Sequence, residues 1–162
     1  MGLDMYLYAQ KSTYLSRYDI KDNPELAASL PNFYPEELKE FKDMIFERNF
    51  LSRAERFQIG YWRKANAIHN WIVENCAHGI DECQTIYMSR KSLENLRDCC
   101  ERTLKEPKNA EAILPTADGF FFGSTEYDEW YFEDITYTKE LLDKVLAFLN
   151  ENDYDIYYEA SW

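Results

Sequence analysis

Basic residues are nearly missing from the last third of this chain. From Asn109 to Trp162 there are 2 Lys and no Arg against 13 Asp and Glu, a net −11 out of −12 for all 162 residues. Nucleic-acid backbones are bound by cationic neutralisation of phosphates, so direct nucleic-acid binding is disfavoured. An anionic membrane surface is disfavoured on the same ground. Glycine and proline are scarce, five of each, which leaves no room for a flexible linker. The length suits a single domain, 1–162, with its own core. No apolar run approaches the roughly 20 residues of a transmembrane helix. The N-terminus lacks a basic stretch followed by an apolar one, and Tyr6 stands where N-myristoylation wants Ser or Thr. A soluble, cytoplasmic protein is expected. In that compartment Cys76, Cys83, Cys99 and Cys100 are expected as reduced thiols. GxGxxG, GxxxxGK[ST] and GxSxG are all absent, and no cofactor is expected.

What the acidic third does have is rings: 13 of the chain's 27 Phe, Trp and Tyr. Disordered acidic tails are poor in aromatics. This segment can pack, so its carboxylates are expected on an ordered surface, and a basic protein is the electrostatic complement.

Both ends alternate with a period of two. Leu3, Met5, Leu7 and Ala9 interleave with Asp4, Tyr6, Tyr8 and Gln10; Tyr154, Ile156, Tyr158, Ala160 and Trp162 interleave with Asp155, Tyr157, Glu159 and Ser161. Each end is predicted as a strand with one buried face, and the two are expected to pair near the sheet centre. Further strands are predicted around Glu55–Gly60 and Thr85–Met88. Helices are predicted from Pro35 (Leu38, Phe41 and Ile45 on one face), over Tyr61–Cys76 with Gly79 as terminator, from Ser89 as cap, and from Thr138. A short helix starts at Asn23-Pro24. Gly119–Gly123 and Trp130–Thr136, around the polar segment 124–129, read as a β-hairpin. Without βαβ spacing the class is α+β: an antiparallel sheet with the terminal strands, packed with about four helices.

Three constellations could carry chemistry. On the predicted helix Tyr61–Cys76, Trp62, Arg63, Asn66 and His69 offer a ring, a guanidinium, an amide and an imidazole on one arc. That set suits a small-ligand pocket, for instance one for a nucleotide, closed by Glu126 or Asp128. The plainer reading of His69 is a boundary residue satisfied by a carbonyl or carboxylate. The loop Ser124–Glu129 crowds three carboxylates, yet matches no calcium-loop pattern. His69, Cys76, His78 and Cys83 lie close in sequence but show no zinc spacing, so no metal is expected.

Several stretches resemble, together, a family of small acidic proteins encoded by bacteriophages and prophages. They are Met1-Gly-Leu-Asp-Met-Tyr-Leu7, Gly60-Tyr-Trp-Arg-Lys-Ala-Asn66 with Ile68-His69 and Trp71, Leu114-Pro-Thr116 leading into Gly119–Glu129, and the Tyr-Tyr-x-x-Ser-Trp ending at Trp162. The resemblance runs end to end, weakest over residues 10–55, and carries no mechanism; it implies a phage origin and the cytoplasm of a host cell. Some members bear the label phosphoglycerate kinase. That enzyme needs two nucleotide-fold lobes and a glycine-rich phosphate loop, for which this chain has neither length nor motif.

The expected function is a non-catalytic binder that docks an acidic, aromatic surface on a basic host protein, such as a nucleic-acid-binding enzyme. Mimicry of nucleic acid, or inhibition of a defence nuclease in the anti-CRISPR manner, is its sharp version. The expected surface comprises Glu126, Tyr127, Asp128, Glu129, Glu133, Asp134, Asp155, Tyr157 and Glu159. The alternative is the Trp62/Arg63/Asn66/His69 pocket. An enzyme pairing His69 with Glu126 or Asp128 comes last.

Overall fold

The structure, a computed structural model, describes residues 2–46, 50–119 and 121–162. In chain order the elements are β1 (Asp4–Ser16), α1 (Arg17–Lys21), α2 (Pro24–Ser29), α3 (Lys39–Phe46), β2 (Phe50–Arg63), α4 (Asn66–Cys76), β3 (Ile86–Tyr87), α5 (Arg90–Lys105), α6 (Ala110–Ile113), α7 (Glu129–Phe148) and β4 (Asp155–Ser161). The class is α+β, with a four-stranded antiparallel sheet ordered β2-β1-β4-β3. The terminal strands are therefore central neighbours, in the register Asp4↔Ser161 through Gln10↔Asp155. Contacts divide the chain into two compact units, Met1–Gln10 with Phe57–Trp162, and Lys11–Arg56.

In the larger unit the alternation does what its period requires. Leu3, Met5, Leu7 and Ala9 of the N-terminal segment, and Ile156, Tyr158 and Ala160 of β4, are buried. They form one cluster with Ile68 and Ile72 of α4, Leu93, Leu96 and Cys100 of α5, and Tyr131, Ile135, Leu142 and Val145 of α7. The helices thus cover one face of the sheet. Each fully buried Leu or Ile there is worth about 1.5–3 kcal/mol over an exposed one. Gly60 on β2 permits the closest approach: a Cβ at that position would lie 2.5 Å from a methyl of Leu141 and 3.2 Å from Leu7 Cβ. Helix ends follow local chemistry. Ser89 accepts from the Ser92 N–H to cap α5. Gly79, at φ +74°, lets its N–H reach the Val73 carbonyl beyond α4.

Two predicted elements are corrected. The helix over Tyr61–Cys76 begins only at Asn66, and Tyr61, Trp62 and Arg63 end β2. There Trp62 turns inward while its neighbours stay exposed, and Lys64 at φ +62° breaks the strand from the helix. Among the described residues the predicted hairpin is absent. Trp130–Thr136 is helical, because Asp128 Oδ1 accepts from the Tyr131 N–H and starts α7 one residue later. The buried positions 131, 135, 138, 142 and 145 then keep a helical period. On the first predicted arm, Phe121, Phe122 and Gly123 are not in a strand, and the Phe122 N–H bonds to the Gly119 carbonyl; Phe120 lies outside the described residues.

The smaller unit is built on Leu15, Phe33 and Leu51, with Ile20, Leu26, Leu30 and Tyr34 against them. Asn23 caps α2 ahead of Pro24. Pro35 precedes a 3-10 turn rather than opening an α-helix. Leu38 and Phe41, predicted together on one helix face, are exposed; the Ile45 side chain lies outside the described residues.

Candidate functional site

The Trp62/Arg63/Asn66/His69 set is divided by the break at Lys64. Trp62 is a core residue: its Nε1 donates to Thr138 Oγ1 at 2.8 Å, and its ring meets the edge of Tyr137. His69 points into the core as well. Its Nδ1 lies 2.7 Å from the Tyr158 hydroxyl and its Nε2 3.0 Å from Asp81 Oδ2. A carboxylate only accepts, so in the neutral ring Nε2 carries the proton and Nδ1 accepts from Tyr158. Burial, with Asp81 and Cys83 nearby, holds the Tyr158 phenol well above its usual range. The plainer reading of His69 describes it, with Asp81 as the carboxylate. Both ring nitrogens are taken, so Glu126 and Asp128 are not its partners.

Arg63 and Asn66 stay together on a cavity of about 320 Å³. It lies between the start of α4, the loop after Gly123 and the first turns of α7, and Lys64, Glu126, Asp128, Glu133 and Asp134 line it too. Asn66 organises the loop. Its Nδ2 donates to the Phe122 carbonyl at 3.1 Å and the Ser124 carbonyl at 2.8 Å, and its Oδ1 accepts from the Ala117 N–H at 3.1 Å. That leaves the amide a buried clamp rather than a ligand contact. Beside it the Lys64 stem runs against Gly123, where a Cβ would meet it at 3.1 Å and the backbone sits at φ +90°. Burial, then the Glu133 and Asp128 charges, push the Asp134 carboxyl up to about 6. Among the described residues, no three His, Cys, Asp or Glu side chains converge to hold a metal ion.

The nine residues expected to form one acidic surface fall on two faces. Glu126, Asp128, Glu133 and Asp134 border the cavity. Tyr127 packs on Tyr131, with its hydroxyl accepting from the Thr116 N–H, and Glu129 lies on an outward groove of α7 with Phe132, Tyr137 and Glu140. Asp155, Tyr157 and Glu159 alternate with the buried residues of β4 and therefore face away from the helices. On that open face the register lines up Tyr8, Tyr157 and Tyr87 across three strands, with 5.7 Å between the rings of the last two. A second row sets Glu159 opposite Tyr6, whose ring is 5.4 Å from that of Tyr61. The Tyr61 hydroxyl donates to Asp4 Oδ1, and this bond raises its pKa; Thr85 Oγ1 donates to Glu159. Tyr6, Tyr8, Tyr61 and Tyr87 of this face were missing from the expected surface, although the alternation of Tyr6 and Tyr8 with buried residues on β1 was already visible in sequence. Compared with known proteins, the chain matches no protein-family profile, no curated protein and no solved structure.

Proposed function

We propose that this protein is a non-catalytic docking protein that engages a basic protein through the open face of its sheet. The carrying observation is the pair of cross-strand rows, with Tyr6, Tyr8, Tyr61, Tyr87 and Tyr157 set among Asp4, Asp155 and Glu159. Outward positions of β1 up to Gln10, of β3 and of β4 include no Lys or Arg, and at the β2 edge one cation, Arg63, follows Tyr61. Tyr is favoured at protein interfaces because it brings contact area at small entropic cost, and a partner guanidinium or ammonium would find both ring faces and carboxylates. A phage or prophage protein acting on a host nucleic-acid enzyme, by occupying its phosphate-binding sites, fits this chemistry.

The test compares the native protein with the D155N/E159Q/Y157A variant, checked for unchanged melting, in binding to a panel of purified bacterial nucleic-acid enzymes at rising salt. Binding that weakens steeply with salt, is competed by DNA and is lost in the variant is the expected result. Equal retention by native protein and variant, or no binding at low salt, refutes the proposal.

A further inference from the structure

We infer that the cavity between α4 and α7 binds a small zwitterion, a primary ammonium joined by a short chain to a carboxylate or phosphate. Both signs of charge line one concave space, yet among the described residues neither Arg63 nor Lys64 forms an ion pair, and neither do Glu126, Asp128, Glu133 and Asp134. Elsewhere in the same unit opposite charges do close on each other, as Asp143 does with both Lys139 and Arg97. Cations and carboxylates that share a cavity without touching are complementary to a molecule that spans them.

The two walls are chemically distinct. Arg63 and Lys64 come from the end of β2 and the turn before α4, and Asp128, Glu133 and Asp134 from the first turns of α7. On the cationic side lie Ala67 and Ile68, in a first helical turn that no side chain caps. Such N–H groups favour an anionic oxygen. On the other side Asp134 is half-buried, without a cation, and the unfavourable ionisation noted above would be relieved by an ammonium. Trp130, which is 73 % exposed and borders the cavity, can cover a short aliphatic chain. The volume, about 320 Å³, is at the lower end for ligand pockets, which suits an amino-acid-sized molecule. A nucleotide, with several negative charges, would meet four carboxylates.

The experiment is a titration of the full chain followed by amide ¹H–¹⁵N spectra. The probes are β-alanine, γ-aminobutyrate and phosphoethanolamine, with propylamine, butyrate and inorganic phosphate as single-charge controls, each to about 20 mM. At least one zwitterion should saturate, shift the Ala67 and Ile68 amides, and bind about tenfold more tightly than every control. The ratio of the aminocarboxylates to phosphoethanolamine identifies the preferred anion. R63Q/K64Q and D134N, confirmed folded by their spectra, should each reduce zwitterion affinity to the level of the controls. Failure of every zwitterion to saturate, a control that binds as tightly, or undiminished binding by either variant overturns the inference. Docking at the sheet face would be untouched by that failure, since none of the tyrosines and carboxylates named for it lines the cavity.

Discussion

Replacing His69 by Leu should destabilise the protein by about 2–4 kcal/mol, and about half of that cost should vanish when Tyr158 is already Phe. The imidazole is 2 % exposed and the tyrosine 0 %, and the bond between them is 2.7 Å long. Leucine fills nearly the same volume, so little of the loss is cavity formation. It does leave the Tyr158 hydroxyl buried without a partner, which costs roughly 1–3 kcal/mol. Asp81 also loses its bond from Nε2, but its side chain is 26 % exposed and can rehydrate, adding about 1 kcal/mol. Tyr158→Phe alone leaves Nδ1 unpaired and should cost about 1–2 kcal/mol. In the double variant neither orphan remains, so its cost should fall short of the sum of the singles by about 1–2 kcal/mol. Urea denaturation followed by circular dichroism measures all four proteins. The His69→Leu midpoint should drop by roughly 1–2 M, with an unchanged slope. Singles that add within about 0.5 kcal/mol would mean that the histidine and the tyrosine do not depend on each other, and would refute the assignment of His69 to the core.

The period-two ends were readable because a strand buried on one face must alternate, and Leu3–Ala9 and Ile156–Ala160 leave no other choice. Their central pairing was expected, and the register then aligned the tyrosines that alternation had already turned outward. Ser89 and Gly79 marked their helix ends for equally local reasons. What sequence could not resolve was where one period yields to another. Tyr61 and Ala65 extend the spacing of Ile68, Ile72 and Cys76 backwards by coincidence, so a strand end looked like a helix start. That misreading placed Trp62 beside Arg63 as a ligand contact, whereas strand geometry sends adjacent side chains to opposite faces. Trp130–Thr136 misled in the same way: its rings favour strands, but the Asp128 cap and the spacing of Tyr131, Ile135 and Thr138 make it helical. The acidic surface divided because charge is legible along a chain and its distribution over two faces is not. Asp155 and Asp134 belong to one acidic segment, yet one lies on the face of the sheet turned away from the helices and the other on a helix covering the far side.

Two further perturbations bear on the cavity. Asn66→Ala removes three bonds that hold the loop before α7 and should cost about 2–4 kcal/mol. Hydrogen exchange should show amides of residues 116–119 and 121–128 losing protection while α5 keeps its own; uniform loss would contradict a local clamp. Asp134→Asn makes a prediction whose sign depends on pH. The folded carboxyl titrates near 6 against an ordinary 3.8, so between those values the folded state binds more protons than the unfolded one. Native stability therefore falls as pH rises through this window, and the loss is complete above about 6. Below the ordinary value both states are protonated and the group contributes nothing. Asparagine has no such charge, so the variant should match the native protein near pH 4 and exceed it at pH 7. Because the side chain is only half-buried, solvent screening limits the gain to about 1 kcal/mol. Denaturation midpoints of both proteins across that range decide the matter: a difference that stays constant with pH would show that Asp134 is not held against its charge, and the anionic wall of the cavity would lose its reason to seek an ammonium.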